Sequence, residues 1–226
     1  MGQNITLQAE DGQKLGAYRA DPAGKPRGGV VIIQEIFGVN AHIRQVCDGF
    51  AADGYVAIAP ALFDRVEPNI QLGYEQPDIV RGREIRGKIG WDTMLMDTRA
   101  AAKVLLDEKL KTGVIGYCMG GSLAWLSATR IDGLSGAVGY YGGAVADFAG
   151  EQPRCPVLLH FGETDASIPK EHWDKIKAAQ PKVPMHIYPG AGHGFSCDHR
   201  ASYHEPSHRL ARQRTIDFLR QNVGEP

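Results

Sequence analysis

Gly116, Cys118 and Gly120 stand as Gly-x-Cys-x-Gly within the stretch Thr112 to Gly121, the form of a nucleophile elbow with sulfur in place of the usual serine oxygen. A nucleophile at the tip of a sharp strand-to-helix turn takes strained dihedrals, and neighbours without a Cβ let strand and helix approach closely. A thiol of ordinary pKa, about 8.5, is mostly protonated near neutral pH, so it needs a base. His193, in Gly192-His193-Gly194-Phe195, can take that proton, and Asp165, in Gly162-Glu163-Thr164-Asp165, can hold the imidazole in the productive tautomer and stabilise its cation. The backbone N–H of Met119, opening the next helix, can face a bound carbonyl oxygen together with that of Ile36 or Phe37. Such a set performs nucleophilic acyl transfer. Taken singly, Cys118 could be a buried small hydrophobe, Asp165 a residue before a helix and His193 a loop histidine. Their joint placement at three strand ends, in the order nucleophile, acid, base, favours the catalytic reading. Glu35, an acid at the end of a buried strand beside the Ile36 loop, either pairs with an arginine or acts on the thiol.

A strand must precede each of these groups. Val114 and Ile115 suit a short buried strand into Cys118, and Ser122 to Arg130 suits a helix packed beside it. Leu134 to Tyr140 and Pro156 to Phe161 read as the next strands, and Met185 to Tyr188 as a short strand leading towards His193. Upstream, Gly29 to Gln34 is apolar on both faces through Val30-Val31-Ile32-Ile33, as a central strand covered by helices must be. Ala41 to Asp53 has helical spacing and Tyr55 to Ala59 is another buried strand, while Asn4 to Glu10 and Leu15 to Ala20 form a hairpin around Asp11-Gly12. Trp91 to Leu110, Lys170 to Ala179 and Ser207 to Gln221 are predicted helices, the last with Leu210, Ile216, Phe218 and Leu219 as its apolar side. The expectation is an α/β fold, a mostly parallel doubly wound sheet with helices on both faces and ligands at the carboxyl ends of the strands. It forms one domain over residues 1–226, with an irregular, lid-like insertion at about residues 60–90.

The 25 basic and 26 acidic residues are mixed along the chain and leave a net charge of −1, a balance that favours neither nucleic acid nor an anionic membrane as partner. No apolar run approaches the roughly 18 residues of a membrane span, and the polar start Met1-Gly2-Gln3-Asn4 is no secretory signal. A cytoplasmic protein, monomeric or a small homo-oligomer, is expected. Cys47, Cys118, Cys155 and Cys197 have neither zinc-ligand spacing nor the density of a disulfide scaffold, so free thiols are expected. His204 and His208, spaced as i and i+4, could hold zinc, and His199 could compete with His193 as the base. Neither displaces the simpler reading, and no metal is expected.

The chain resembles the dienelactone hydrolase (carboxymethylenebutenolidase) family of α/β-hydrolases. The resemblance runs through Gln34-Glu35-Ile36-Phe37-Gly38-Val39-Asn40, Gly116-Tyr117-Cys118-Met119-Gly120-Gly121, Gly139-Tyr140-Tyr141-Gly142 and Gly192-His193-Gly194-Phe195. It implies an α/β-hydrolase fold, a Cys118–His193–Asp165 triad working through a thioester acyl-enzyme without metal or organic cofactor, and a Glu35 that contacts the Cys118 thiol and helps to activate it when substrate arrives. The implied substrate is a small ester or lactone. Family members acting on dienelactone hold its carboxylate with two arginines, one in the insertion and one four residues after the catalytic histidine. At that second position this chain has Cys197. Arg81, Arg83 or Arg86 could supply the first cation and Arg200 could replace the second, with Trp91, Tyr140 and Cys197 as further candidate pocket residues. Loss of a bidentate clamp weakens the case for an anionic lactone and favours a neutral ester or lactone. Other activated esters, including phosphotriesters, form an alternative substrate class, and a non-catalytic binding member of the fold is the alternative from outside catalysis.

Overall fold

Apolar runs without alternation give the sheet its centre. Gly28–Ile33 (β3), Tyr55–Pro60 (β4) and Thr112–Tyr117 (β5) are buried at every position, because helices cover both faces of parallel strands. In the computed structural model, which describes residues 2–224, they belong to one eight-stranded sheet. Gln3–Gln8 (β1) and Lys14–Ala20 (β2) precede them, and Leu134–Tyr140 (β6), Val157–Gly162 (β7) and Met185–Tyr188 (β8) follow, in the order β1-β2-β4-β3-β5-β6-β7-β8. The β1–β2 and β2–β4 pairs are antiparallel, and every other pair is parallel. This is the expected α/β architecture.

Among the described residues six α-helices connect or flank the strands: α1 (Ala41–Ala52), α2 (Gln76–Arg86), α3 (Trp91–Asp107), α4 (Met119–Arg130), α5 (Lys170–Ala179) and α6 (Glu205–Asn222). Asn40 caps α1 by accepting the Ile43 N–H at 3.2 Å, which pins the chain just after the Glu35 loop. The α4 helix begins at Met119 rather than Ser122, so the glycines of the elbow already lie in its first turn.

The insertion departs most from expectation. Between β4 and α3 the chain forms a short 3₁₀ turn, Leu62–Arg65, and then the eleven-residue α2. The start signal for α2 is local: Asp78 accepts the Glu75 N–H at 3.1 Å and Pro77 lies in the first turn. Its apolar side is too sparse for periodicity to reveal, since only Gly82 and Ile85 are buried. Gly82 is what lets α2 settle, for a Cβ there would stand 2.1 Å from the Ile36 carbonyl oxygen. Among the described residues no helix is long and apolar enough to cross a membrane.

Candidate active site

The turn between β5 and α4 is closed by contacts that permit no side chain. A Cβ on Gly116 would lie 1.8 Å from the Gly120 carbonyl oxygen, and one on Gly120 would lie 2.5 Å from that of Ile33. Cys118 at the tip takes φ 57° and ψ −117°, a conformation L-residues avoid unless the surroundings fix it. Its N–H donates to the Tyr140 carbonyl at 3.0 Å, tying the corner to β6.

That corner aims the sulfur at the loop after β8. Cys118 Sγ is 3.1 Å from His193 Nε2, and His193 Nδ1 is 2.6 Å from Asp165 Oδ2, whose side chain is wholly buried. The structure therefore brings Cys118, His193 and Asp165 into one hydrogen-bonded chain. Ser167 completes it: its N–H and its hydroxyl both donate to Asp165 Oδ1, at 2.9 and 2.5 Å. The hydroxyl oxygen also lies 3.2 Å from His193 Nδ1. Sequence reasoning passed over Ser167, although Asp165-x-Ser167 carries the signal of an aspartate that binds the backbone two residues on.

Burial works against charge on His193, but the Cys118 sulfur and the Asp165 carboxylate outweigh it and push the imidazole up to about 10. Burial likewise opposes charge on Asp165, and His193 with Ser167 overcomes it, leaving the carboxyl below its ordinary value. His193 is thus a strong proton acceptor facing the thiol.

These groups open onto a cavity of about 540 Å³ whose apolar wall includes Ile36, Phe37, Ile79, Trp91 and Met119. The two candidate oxyanion residues, Ile36 and Met119, thus face the same space as Cys118. Met119 is the first residue of α4, where backbone N–H groups have no partner within the helix. The insertion closes one side of the cavity through Ile79, Arg83 and Arg86.

The predicted cations separate. Arg81 points away, paired with Glu67 and Glu84 at the surface, so it is removed as a substrate contact. Arg86 lies in the wall with its guanidinium 4.2 Å from the Trp91 ring centre and donates to the Ile89 carbonyl at 2.7 Å. Arg83 lines the cavity, is exposed and forms no ion pair among the described residues. Arg200 also lines it, so a cation does come from the loop after His193, three residues beyond Cys197.

Arg200 reaches the cavity by packing on Gly194, where a Cβ would meet its Nη1 at 2.5 Å, and by donating to Glu35 Oε1 at 3.0 Å. Of the two readings of Glu35, the structure has the arginine pair. No Glu35–Cys118 hydrogen bond exists among the described residues, because the carboxylate is turned to the guanidinium. Tyr140 and Cys197 are corrected as pocket residues. Tyr140 is in the core with its hydroxyl 2.6 Å from Thr215 Oγ1, and Cys197 is fully buried, behind the cavity wall. Burial pushes the Cys197 thiol up to about 12, with Glu35 adding to the rise. His199 is held by Gln45 at 3.0 Å and does not reach Cys118. His204 and His208 are bound to separate serines, Ser207 and Ser196, so their predicted zinc pair is not assembled. All four cysteines are free.

Residues 15–223 match the sequence profile of the Dienelactone hydrolase family. A carboxymethylenebutenolidase from Pseudomonas putida is 34% identical over 230 residues, covering 96% of this chain and 95% of its own. Among solved structures, a Klebsiella pneumoniae protein assigned as a dienelactone hydrolase superposes with a TM-score of 0.88 at 30% identity, over 98% of both chains. A dienelactone hydrolase-like promiscuous phosphotriesterase from metagenomic libraries shares the fold at a TM-score of 0.78 and 20% identity, over 99% of both chains.

Proposed function

The chain belongs to the dienelactone hydrolase family and is a hydrolase; from that premise we propose that it cleaves a carboxylic ester or lactone by covalent catalysis at Cys118. The observation that carries this reading is the Cys118–His193–Asp165 chain, with separations of 3.1 and 2.6 Å, at the floor of an apolar cavity. His193 takes the thiol proton, and an imidazole raised to about 10 retains it until a better acceptor forms. The sulfur then bonds to the carbonyl carbon, and the oxygen becomes an alkoxide facing the N–H groups of Met119 and Ile36. Collapse of that intermediate breaks the carbon–oxygen bond, His193 gives its proton to the departing oxygen, and a thioester remains. Water, losing a proton to His193, attacks the thioester and returns the sulfur. Asp165 stays ionised throughout and stabilises the imidazolium.

The cations give the substrate a sign. Among the described residues Arg83 forms no ion pair on the cavity wall, and Arg200 pairs only with the Glu35 carboxylate, which a second carboxylate can replace. We therefore assign an ester or lactone carrying an anionic group beside the scissile bond. Cys197 at the position of the family's second arginine does not remove that preference, since Arg200 supplies a cation from the same loop. Competition for Arg200 sets Glu35 free to approach the thiol, which ties activation of the nucleophile to occupancy of the site. The test is a panel of an anionic lactone, a neutral aryl ester and an aryl phosphotriester, each with wild type and Cys118→Ala. The expected result is fastest turnover of the anionic substrate and a loss of about 10³-fold or more in the variant. Wild-type rates in Cys118→Ala would end the proposal.

A further inference from the structure

Glu35 is buried outside the lining of the catalytic cavity and touches its wall through Arg200, which donates to Oε1. Behind that wall, Glu35, His42 and Cys197 each offer one donor atom, a carboxylate oxygen, an imidazole nitrogen and a sulfur, all within 4.8 Å of one another. The three residues are 1%, 3% and 0% exposed. Buried polar atoms are ordinarily hydrogen-bonded, yet among the described residues Glu35 Oε2 and both ring nitrogens of His42 have no hydrogen-bond partner. The fold thus holds three potential ligands together and leaves one carboxylate oxygen and the imidazole of two of them without hydrogen-bond partners among the described residues.

We propose that Glu35, His42 and Cys197 form a binding site for a borderline divalent cation of the zinc type, distinct from the catalytic centre. The donor set selects the ion. A thiolate and an imidazole beside a single carboxylate suit zinc, whereas calcium and magnesium require several oxygens. The ion carries two charges into a region whose carboxylate is half-compensated, since Glu35 Oε1 already accepts from Arg200. Asp198 Oδ1 stands 3.4 Å from His42 Nδ1, placed as a carboxylate behind a metal-bound histidine, where it fixes the ring. His199, grouped with His42 and Asp198 as a second set of possible donors, flanks the site on the side of His42. Binding converts the Cys197 thiol to a thiolate and releases its proton to solvent.

Access is separate from the substrate's. His42, Asn40, Tyr74 and His199 line a surface concavity of about 350 Å³ that shares no lining residue with the catalytic cavity. Of the proposed ligands His42 lines that concavity, so an ion entering there passes His42, and not Cys118, on its way to Glu35 and Cys197. Once there it holds Glu35 by Oε2 while Arg200 holds Oε1, and the carboxylate can no longer swing towards the thiol. The site then slows hydrolysis from behind the active-site wall, a consequence that rests on the role proposed above for Glu35.

The test loads metal-free protein with zinc or, as a spectroscopic substitute, cobalt(II). Wild type and Cys118→Ala are expected to retain one equivalent of zinc on dialysis and to show a thiolate-to-cobalt charge-transfer band. Cys197→Ser and His42→Ala lose both. X-ray absorption at the zinc edge of Cys118→Ala, which leaves the proposed ligands untouched, reports one sulfur among nitrogen and oxygen neighbours even if the site variants fold poorly. No retained zinc, a band that vanishes in Cys118→Ala, or a zinc shell without sulfur would each overturn the site. With zinc bound, a tenfold or larger fall in wild-type kcat is expected; an unchanged kcat overturns the locking of Glu35. Formation of an acyl-enzyme in metal-free protein is independent of all these outcomes, so failure here and failure of the proposed hydrolysis are told apart.

Discussion

The elbow and the insertion both shape the catalytic cavity, and they are built in opposite ways. At the elbow, backbone packs on backbone: Gly116 against Gly120, and Gly120 against the carbonyls of Ile33 and Gln34. In the insertion, α2 buries only Gly82 and Ile85 and holds its outer side with exposed ion pairs such as Arg81–Glu67. Exposed pairs contribute little, typically under about 1 kcal/mol. Cys118 therefore sits on a corner that cannot relax, while the insertion residues that would read the substrate sit on a helix that can. A strained Cys118 persists because its surroundings over-determine it. A specificity surface has no such requirement.

The largest expected effect separates the two regions by one methyl group. Gly120→Ala, whose Cβ would meet the Ile33 carbonyl at 2.5 Å, is expected to cost about 3 kcal/mol or more by overpacking. Gly82→Ala makes an even closer contact, 2.1 Å from the Ile36 carbonyl, yet α2 can tilt outward, so the expected loss is about 1 kcal/mol with a raised KM. Denaturant melts of both variants decide this. Equal losses would show that α2 is as firmly seated as the elbow.

Ser167→Ala sharpens the comparison within the rigid half. Asp165 keeps the backbone N–H but loses the hydroxyl that donates at 2.5 Å, so its pKa rises. A depressed carboxylate contributes stability that is complete above its unfolded value, about 3.8, and lost as pH falls through its folded value. The variant's acid unfolding should accordingly begin at higher pH than in wild type. His193 runs the other way: its stabilisation is complete below about 6.5 and lost as pH rises through about 10. Activity of Ser167→Ala is expected to fall about tenfold in kcat with KM little changed, as a positioning loss does. An unchanged acid limb would mean that Ser167 does not set the state of Asp165.

Much of this was legible from the chain because the constraints are local. Gly-x-Cys-x-Gly announces the corner, the buried runs Val30–Ile33 and Val157–Phe161 give the strands, and Cys118, Asp165 and His193 each follow a strand. The α2 helix was not legible, since its seat is a single glycine on the Ile36 carbonyl and its remaining surface is polar. Tyr140 was misread because aromatics at strand ends occur in pockets and cores alike, and only the Thr215 hydroxyl, on α6, settles which. Nor can spacing show that Cys197 would lie behind Glu35 and beside His42, for these come from three separate segments that only the sheet brings together.

The smallest effects belong to the insertion's arginines. Arg83→Gln should raise KM for an anionic ester about tenfold, roughly 1.4 kcal/mol, and leave a neutral ester unaffected. Arg81→Gln, tied to surface carboxylates away from the cavity, should change stability and KM by no more than about 0.5 kcal/mol. Steady-state kinetics on the two esters checks both, and a neutral-ester KM that moves with Arg83→Gln would make the contact one of shape rather than charge.

The account stands or falls on the covalent step at Cys118. Rapid-quench mass spectrometry during turnover of an activated ester should find the acyl group on the peptide containing Cys118, labile to hydroxylamine as a thioester is, and absent from Cys118→Ala. Turnover at full rate with no acyl group on Cys118, or with the adduct on another residue, would contradict it.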